Sequence, residues 1–464
     1  MSQTQKLYKT MKPTKLLSKL YISILGIITC FICSSVVIQA KPLQVGVLSI
    51  RPHIDQTANY NDNIFISNTN RVSAWSFNTQ PGVQISVGQT EALKLSMDYT
   101  ASIVNFVDQQ SQDNWGNNLT FTQASVFNRF TISSFLNYNF STGANTLVGE
   151  YIPSGNLNSG ITSIWRLSEK FTLSTYFNHQ FNNFTSFGLV DNAQNVIGAS
   201  LGYSFDELTT FNLFGNWSNN TVSQGQDING YNVGVGINRV FNTTYSGFFN
   251  VGYAVNAINN VFQGNQTFET ANVTTGQQGG TLSRVAPSND SRGGTIGAGI
   301  SANTGKLTST ASGTAFIGDS KDSIGGGSQS FSFTCGANFS YAITTKTTAS
   351  LNVYRSINQS ITEVNNMYYN TGTNLTLSQK ITQKLTASAF FNWNNVDFQN
   401  PVNYVGIGNV ARNDNNYTAG VNLTYLLQEW LRIYGGYQYN VNESNVSNFS
   451  FTQNQVTIGI GASF

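Results

Sequence analysis

Residues 454–464 read NQVTIGIGASF. Val456, Ile458, Ile460, Ala462 and Phe464 fall on one side of an extended chain, and Thr457, Gly459, Gly461 and Ser463 on the other. A period of two is that of a β-strand, so the segment reads as a strand with one apolar face and one small polar face. The sequence stops there on an aromatic residue, with no polar tail. What the apolar face meets decides the fold.

The same alternation recurs upstream. Leu93, Leu95, Met97 and Tyr99 alternate with Lys94, Ser96, Asp98 and Thr100; Ile197 to Phe205, Leu385 to Trp393, Tyr417 to Tyr425 and Leu431 to Tyr439 repeat the pattern. The composition says what kind of sheet this is. Charged residues are 9% of the chain, against roughly 25% in ordinary globular proteins. Aromatic residues are 13%, with 21 Tyr and 32 Phe, which argues against disorder. A soluble sandwich or propeller would carry Lys and Glu on its polar face. Here that face is Thr, Ser, Gly and Asn, so the apolar face is expected to meet lipid. The expected fold is all-β: a closed antiparallel transmembrane β-barrel of about 18–20 strands, closed because lipid cannot satisfy a sheet edge.

Tight connections at 166–171, 205–210, 240–245, 343–348 and 426–431 take turns with longer Asn/Gln/Asp-rich ones. The longer ones fall near 60–71, 107–114, 142–155, 183–193, 258–291 and 398–414. An even strand count places both ends of the barrel chain at the short-turn end. Trp165, Tyr203, Phe205, Tyr245 and Tyr425 sit beside tight turns, where an interfacial girdle is expected. The connection 258–291 is the longest and is a candidate to fold inward as a constriction.

Residues 1–40 differ from the rest. Lys6, Lys9, Lys12, Lys15 and Lys19 precede the apolar run YISILGIITCFICSSVVI. The segment reads as a secretory signal peptide cleaved after Ala40, leaving 41–464 as the barrel. Without it the chain carries about −3 rather than +2, so no basic patch suggests nucleic acid. One cysteine remains, Cys335, and His53 and His179 are the two histidines. No metal or cofactor site is expected.

At the start of the barrel, residues 59–67 read NYNDNIFIS. Together with the closing half, this resembles the outer-membrane β-barrel family associated with exopolysaccharide operons, also called putative β-barrel porin family 2. Tyr60, Asp62, Asn63 and Ile64 match its Tyr-x-Asp-Asn pattern. Leu167, Ser168, Glu169 and Lys170 match its Leu-Ser-x-Lys turns, and the Tyr-rich 434–464 segment matches its ending. The resemblance implies a channel-like barrel serving polysaccharide export or general permeation, with no catalytic residues to carry over.

Strand parity assigns Arg51, Asp55, Lys94, Asp98, Arg166 and Arg432 to the lumen. They carry both signs, so no strong ion selectivity follows. A neutral wall of Asn, Thr, Ser and Tyr suits hydroxyl-rich solutes, including polysaccharide. Phe464, Ile460 and Ile458 are the expected barrel-assembly signal, so the expected partners are outer-membrane lipid and the barrel-assembly machinery. The first alternative is a surface-exposed structural or adhesin barrel. A hydrolase built on His53 or His179 ranks last, because a lone histidine in a polar wall lacks a nucleophile and acid in reach.

Overall fold

In a computed structural model of the chain, the described residues are 42–464 apart from 91, 146, 148–149, 185–188, 190, 224–226, 260–290, 322–326, 360–366, 399–400 and 405–406. The leader 1–40 lies outside them, as does almost all of the 258–291 connection.

Twenty long strands build one sheet. They are β1 (Leu48–Asn61), β2 (Ala74–Thr90), β3 (Leu93–Phe106), β4 (Asn114–Val126), β5 (Phe130–Asn145), β6 (Glu150–Arg166) and β7 (Phe171–Phe184). Then follow β8 (Asn192–Ser204), β9 (Thr209–Val222), β10 (Asp227–Val240), β11 (Tyr245–Asn259), β12 (Ser291–Asn303), β13 (Leu307–Lys321) and β14 (Gly327–Thr344). The last are β15 (Thr347–Gln359), β16 (Met367–Lys380), β17 (Leu385–Phe398), β18 (Asn413–Gln428), β19 (Leu431–Ser444) and β20 (Phe451–Ser463). Each pairs antiparallel with its neighbours, and β1 closes on β20 with His53 opposite Ser463 and Asn61 opposite Gln455. The fold is a closed 20-stranded antiparallel barrel. A barrel of that strand number, tilted near 40°, is roughly 40 Å across.

The expected alternation sorts side chains between two faces. On the outer face Leu201 faces Leu213, Leu213 faces Val235, Val235 faces Val251 and Val251 faces Ile296. Leu213 is 54% and Val235 59% exposed. An apolar belt running unbroken across five strands is intolerable in water and is what lipid requires. Two aromatic rings of residues bound it. At the short-turn end Phe130 meets Trp165 (ring centroids 4.6 Å apart) and Phe171 meets Tyr203 (5.1 Å). At the long-loop end Tyr60 meets Trp75 (5.3 Å) and Trp115 meets Phe140 (5.5 Å). From Phe130 to Phe140 along β5, about ten residues rise ~33 Å, or ~25 Å along the membrane normal at that tilt, which matches the apolar band of outer-membrane barrels.

The tight turns are held by side chains that cap their own backbone. Ser168 Oγ accepts from the backbone N–H of Lys170 and Phe171, Asp206 Oδ1 from Leu208, Asn242 Oδ1 from Thr244 and Tyr245, and Thr382 Oγ1 from Lys384 and Leu385. Short polar side chains favour such local bonds. Asp206 is fully exposed, and the Leu208 N–H holds its carboxyl below the usual carboxylate range.

Two details depart from the expectation. The connection near 142–155 shrinks to 146–149, because β5 and β6 keep pairing up to Asn145 opposite Glu150. Above the apolar belt the strands no longer need an apolar face, so the alternation fades while the ladder continues. The 398–414 connection holds a small hairpin, Val402–Tyr404 against Gly408–Val410, closed with Gly408 at φ 96°, a backbone region that favours glycine.

Candidate functional site

The inner face is a wall of amides and hydroxyls bonded across strands. Asn374 Nδ2 donates to Asn352 Oδ1 (3.3 Å), and Asn352 in turn donates to Asn338. Thr418 donates to Asn440 (2.9 Å), Asn440 to Gln453 (3.0 Å), and Thr457 to Asn59 (2.8 Å). Ser102 donates to Asn78 at 2.8 Å. Such pairs leave further donors and acceptors free, because each amide has two N–H groups and two lone pairs.

The sequence-predicted charges share this face by register, and the structure brings three of them into pairs. Arg432 Nη2 lies 2.9 Å from Asp55 Oδ1, across Gly461, and Tyr434 donates its hydroxyl to the same oxygen at 3.3 Å. A Cβ at Gly461 would collide with the Asp55 carboxylate and with Arg432, so glycine makes room for the pair. Asp98 lies 3.5 Å from His53 Nε2. Arg51, Lys94 and Arg166 are exposed near the short-turn ends of their strands. His179 bonds to Asn195 at 2.8 Å on the outer face, the face of Phe177 and Ile197, away from the lumen charges. Phe464 stacks on Trp430 (5.7 Å, 26°), and its N–H donates to Pro52 at 2.9 Å; Ile458 and Ile460 lie on the outer face of β20.

At the long-loop end the mouth is built from residues that periodicity does not reveal. Asp62 and Asn63 turn the 62–73 segment inward. Asp62 accepts from Asn454 N–H and Nδ2, both at 2.7 Å. Asn63 is fully buried; its Nδ2 donates to the carbonyls of Ser67 and Thr452, both at 2.9 Å, and its own carbonyl accepts from Gln453. This gives the Tyr-x-Asp-Asn pattern a physical role: it pins the first loop to the last strand. Ile64 and Ile66, 3% exposed each, then roof a cavity of about 430 Å³ whose wall includes Asn59, Thr418, Asn440, Gln453 and Thr457. Ile64 packs in a cluster with Ala74, Phe106, Phe65 and Tyr151.

Arg412 closes the mouth from another direction. It is 2% exposed and pairs with Asp414 (Nη2 to Oδ2 2.8 Å, Nε to Oδ2 2.9 Å). Its guanidinium carbon stands 3.7 Å from the Phe449 ring centroid and 4.5 Å from that of Phe398. Its Nη1 donates to the Leu147 carbonyl at 2.9 Å, and Leu147 packs against Tyr368, Val396 and Phe398. The planar guanidinium suits this combination of fork and stack; a lysine would lose both. The 62–73 segment, Leu147 and Arg412 therefore narrow the long-loop end. The 258–291 connection, the candidate constriction, lies outside the described residues apart from its first two positions and Ser291.

A closed barrel with an apolar belt, two aromatic girdles and a polar interior is an outer-membrane, porin-like barrel. Residues 264–464, running to the end of β20, match the family model described as putative beta-barrel porin 2, which bears out the resemblance to that porin family over this part of the chain. No curated protein matches the chain. Among solved structures, the copper transporter OprC aligns with a TM-score of 0.50 at 9% identity, covering 91% of this chain and 82% of that one. The ferric enterobactin receptor PfeA from Pseudomonas aeruginosa aligns at 0.47 and 9% identity, covering 89% and 80%. The outer membrane protein OpdK from Pseudomonas aeruginosa aligns at 0.34 and 12% identity, covering 89% and 99%. These likenesses concern the fold.

Proposed function

We propose that the protein is a passive channel for uncharged, hydroxyl-rich solutes, with saccharides and polysaccharide as the class that fits best. The observation that carries this reading is the interior wall of cross-bonded Asn, Thr, Ser and Gln side chains. Amides and hydroxyls can exchange partners with sugar hydroxyls at little net cost, since each bond broken is replaced by one of the same kind. The lumen charges of Asp55 and Arg432 neutralise one another, so they neither attract nor repel an ionic solute strongly. An exporter of anionic polysaccharide would be expected to line its whole lumen with unpaired Arg and Lys; here the exposed Arg51, Lys94 and Arg166 stand only near the short-turn ends of their strands. We read Arg51, Asp55, Lys94, Asp98, Arg166 and Arg432 as lumen residues of both signs, four basic and two acidic, in an otherwise uncharged wall, and His53 and His179 as structural residues. The final strand, with Ile458, Ile460 and Phe464, is the part that the assembly machinery would engage.

The test is a liposome-swelling assay with the refolded barrel. Neutral mono- and oligosaccharides should enter with rates that fall with size and depend little on charge. Planar bilayers should show reversal potentials near zero in a salt gradient. Impermeable liposomes and silent bilayers, for the wild type and for a variant with the mouth opened at Arg412, would leave the adhesin alternative in its place.

A further inference from the structure

Five strands carry one hidden repeat on their inner face. It reads Phe135-Leu-Asn137 on β5, Tyr176-Phe-Asn178 on β7, Phe214-Gly-Asn216 on β9, Phe248-Phe-Asn250 on β11 and Phe390-Phe-Asn392 on β17. Ring and amide are two residues apart, so they share a face. The residue paired with each ring on the next strand is a glycine: Gly160, Gly198, Gly234, Gly299 and Gly420. Tyr354 opposite Gly372 and Tyr434 opposite Gly459 extend the pattern. A Cβ at each of these glycines would run into the ring opposite. Each ring thus reaches over bare backbone, and all seven rings are half-buried on the lumen face.

The rings hold one level. Phe135 stands in a row through Gly160 with Asn178, two residues past Tyr176; Tyr176 stands through Gly198 with Asn216, two residues past Phe214. That offset is the stagger a tilted barrel requires, so Phe135, Tyr176 and Phe214 stand at one height, and the other rings lie within a few residues of it. Two of these rows also bring the amide of the next repeat to the glycine floor. At Gly160 the Phe135 ring and the Asn178 carboxamide converge from either side. Tyr176 bonds to Asn216 over Gly198 in the same way. Rings two strands apart are separated by roughly 10–12 Å, the span of about two linked pyranose units.

We infer that this collar binds carbohydrate, stacking the C–H faces of neutral pyranose rings on its half-buried aromatic rings and bonding their hydroxyls with the paired asparagine amides. The inference rests on the channel reading above and adds to it a binding surface on the wall. Glycine is needed on either account, because the ring needs the room; the partial exposure of the seven rings to the lumen, beside the exposed Asn137 amide, is what a purely structural role leaves unused.

The experiment uses the full barrel, refolded in detergent, with maltohexaose, cellohexaose and mannohexaose as probes. Saturation-transfer NMR reports contact, and titration gives the apparent Kd. Replacing Tyr176, Phe214 and Phe390 together by Leu should weaken binding about threefold per ring, on the order of tenfold or more in all. Tyr176→Phe and Phe390→Tyr keep the ring and should bind like wild type. Folding is checked by heat-modifiable gel migration; should the triple variant not fold, the single Leu variants carry the same expectation at about threefold each. No binding of any of the three probes by wild type, or equal binding by folded Leu variants, overturns the collar. Conductance is measured separately: a conducting protein without ring-dependent binding loses only the collar, and ring-dependent binding in a silent protein loses only the channel.

Discussion

Arg412 donates a hydrogen bond to the carbonyl of Leu147 at 2.9 Å, across 265 positions of sequence. The two residues sit on connections that stand far apart around the wall, between β5 and β6 and between β17 and β18. Their bond spans the long-loop mouth.

That relationship yields the first expectation. Arg412→Ala leaves Asp414, 1% exposed, without its counter-charge. Breaking a buried pair on one side costs about 3–5 kcal/mol, and here the cost falls on the loops. The barrel ladder does not pass through Arg412, so heat-modifiable folding should persist. Single-channel conductance should rise, and current fluctuations with it. Unchanged conductance in the folded variant would show that these loops do not limit flow.

The Asp55–Arg432 pair should behave differently. Arg432 is 51% exposed on its side chain, and exposed pairs contribute about 0–1 kcal/mol. Arg432→Ala should barely change the unfolding midpoint in urea. It should uncover the Asp55 carboxylate and shift the reversal potential toward cation selectivity, and Asp55→Asn should shift it the other way. Shifts of the same sign in both variants would refute the neutral-pair reading.

Glycines beneath rings offer a third test. Gly198→Val places a branched side chain where the Tyr176 ring lies. Overpacking of this kind costs about 1–3 kcal/mol. The folded fraction after refolding should fall, and Tyr176→Ala in the same chain should restore it by removing the collision. Gly143, beside which a Cβ meets nothing within 4 Å, is the control and should accept Ala without loss.

The barrel was legible in the sequence because lipid imposes one rule on every strand. Leu213, Val235 and Val251 announce their outer face by period alone, and strand number and closure follow from counting such segments. The mouth obeys no period. Arg412 looks like one more loop charge until the fold brings Leu147, Phe398 and Phe449 around it, and Asp62 and Asn63 were visible only as a pattern without a mechanism. The aromatic-x-Asn repeat is an intermediate case. Its letters also occur elsewhere in the sequence, as in Trp115-Gly-Asn117 and Trp393-Asn-Asn395; its meaning depends on which glycine stands opposite, and that is a matter of register. The ends of β5 and β6 were misplaced for a related reason: from Ser141 to Asn145 the strand is above the membrane, and its ladder leaves no apolar trace.

Phe464 separates assembly from stability. Its ring stacks on Trp430, and an aromatic pair contributes about 0.5–1.5 kcal/mol beyond its buried area. Its N–H bond to Pro52 belongs to the backbone and survives substitution. Phe464→Ala should therefore lower the stability of refolded barrel by only about 1 kcal/mol. If the last strand is read by assembly machinery through its outer face, the same substitution should reduce the amount reaching the outer membrane of living cells several-fold, and Ile460→Asn should do likewise. Trp430→Ala is the discriminating variant, since it removes the same stack and leaves the last strand intact. It should match Phe464→Ala in the refolded barrel and wild type in the cell. Equal losses in the cell for both would mean that the ring stack itself, rather than recognition of the final strand, is what assembly needs.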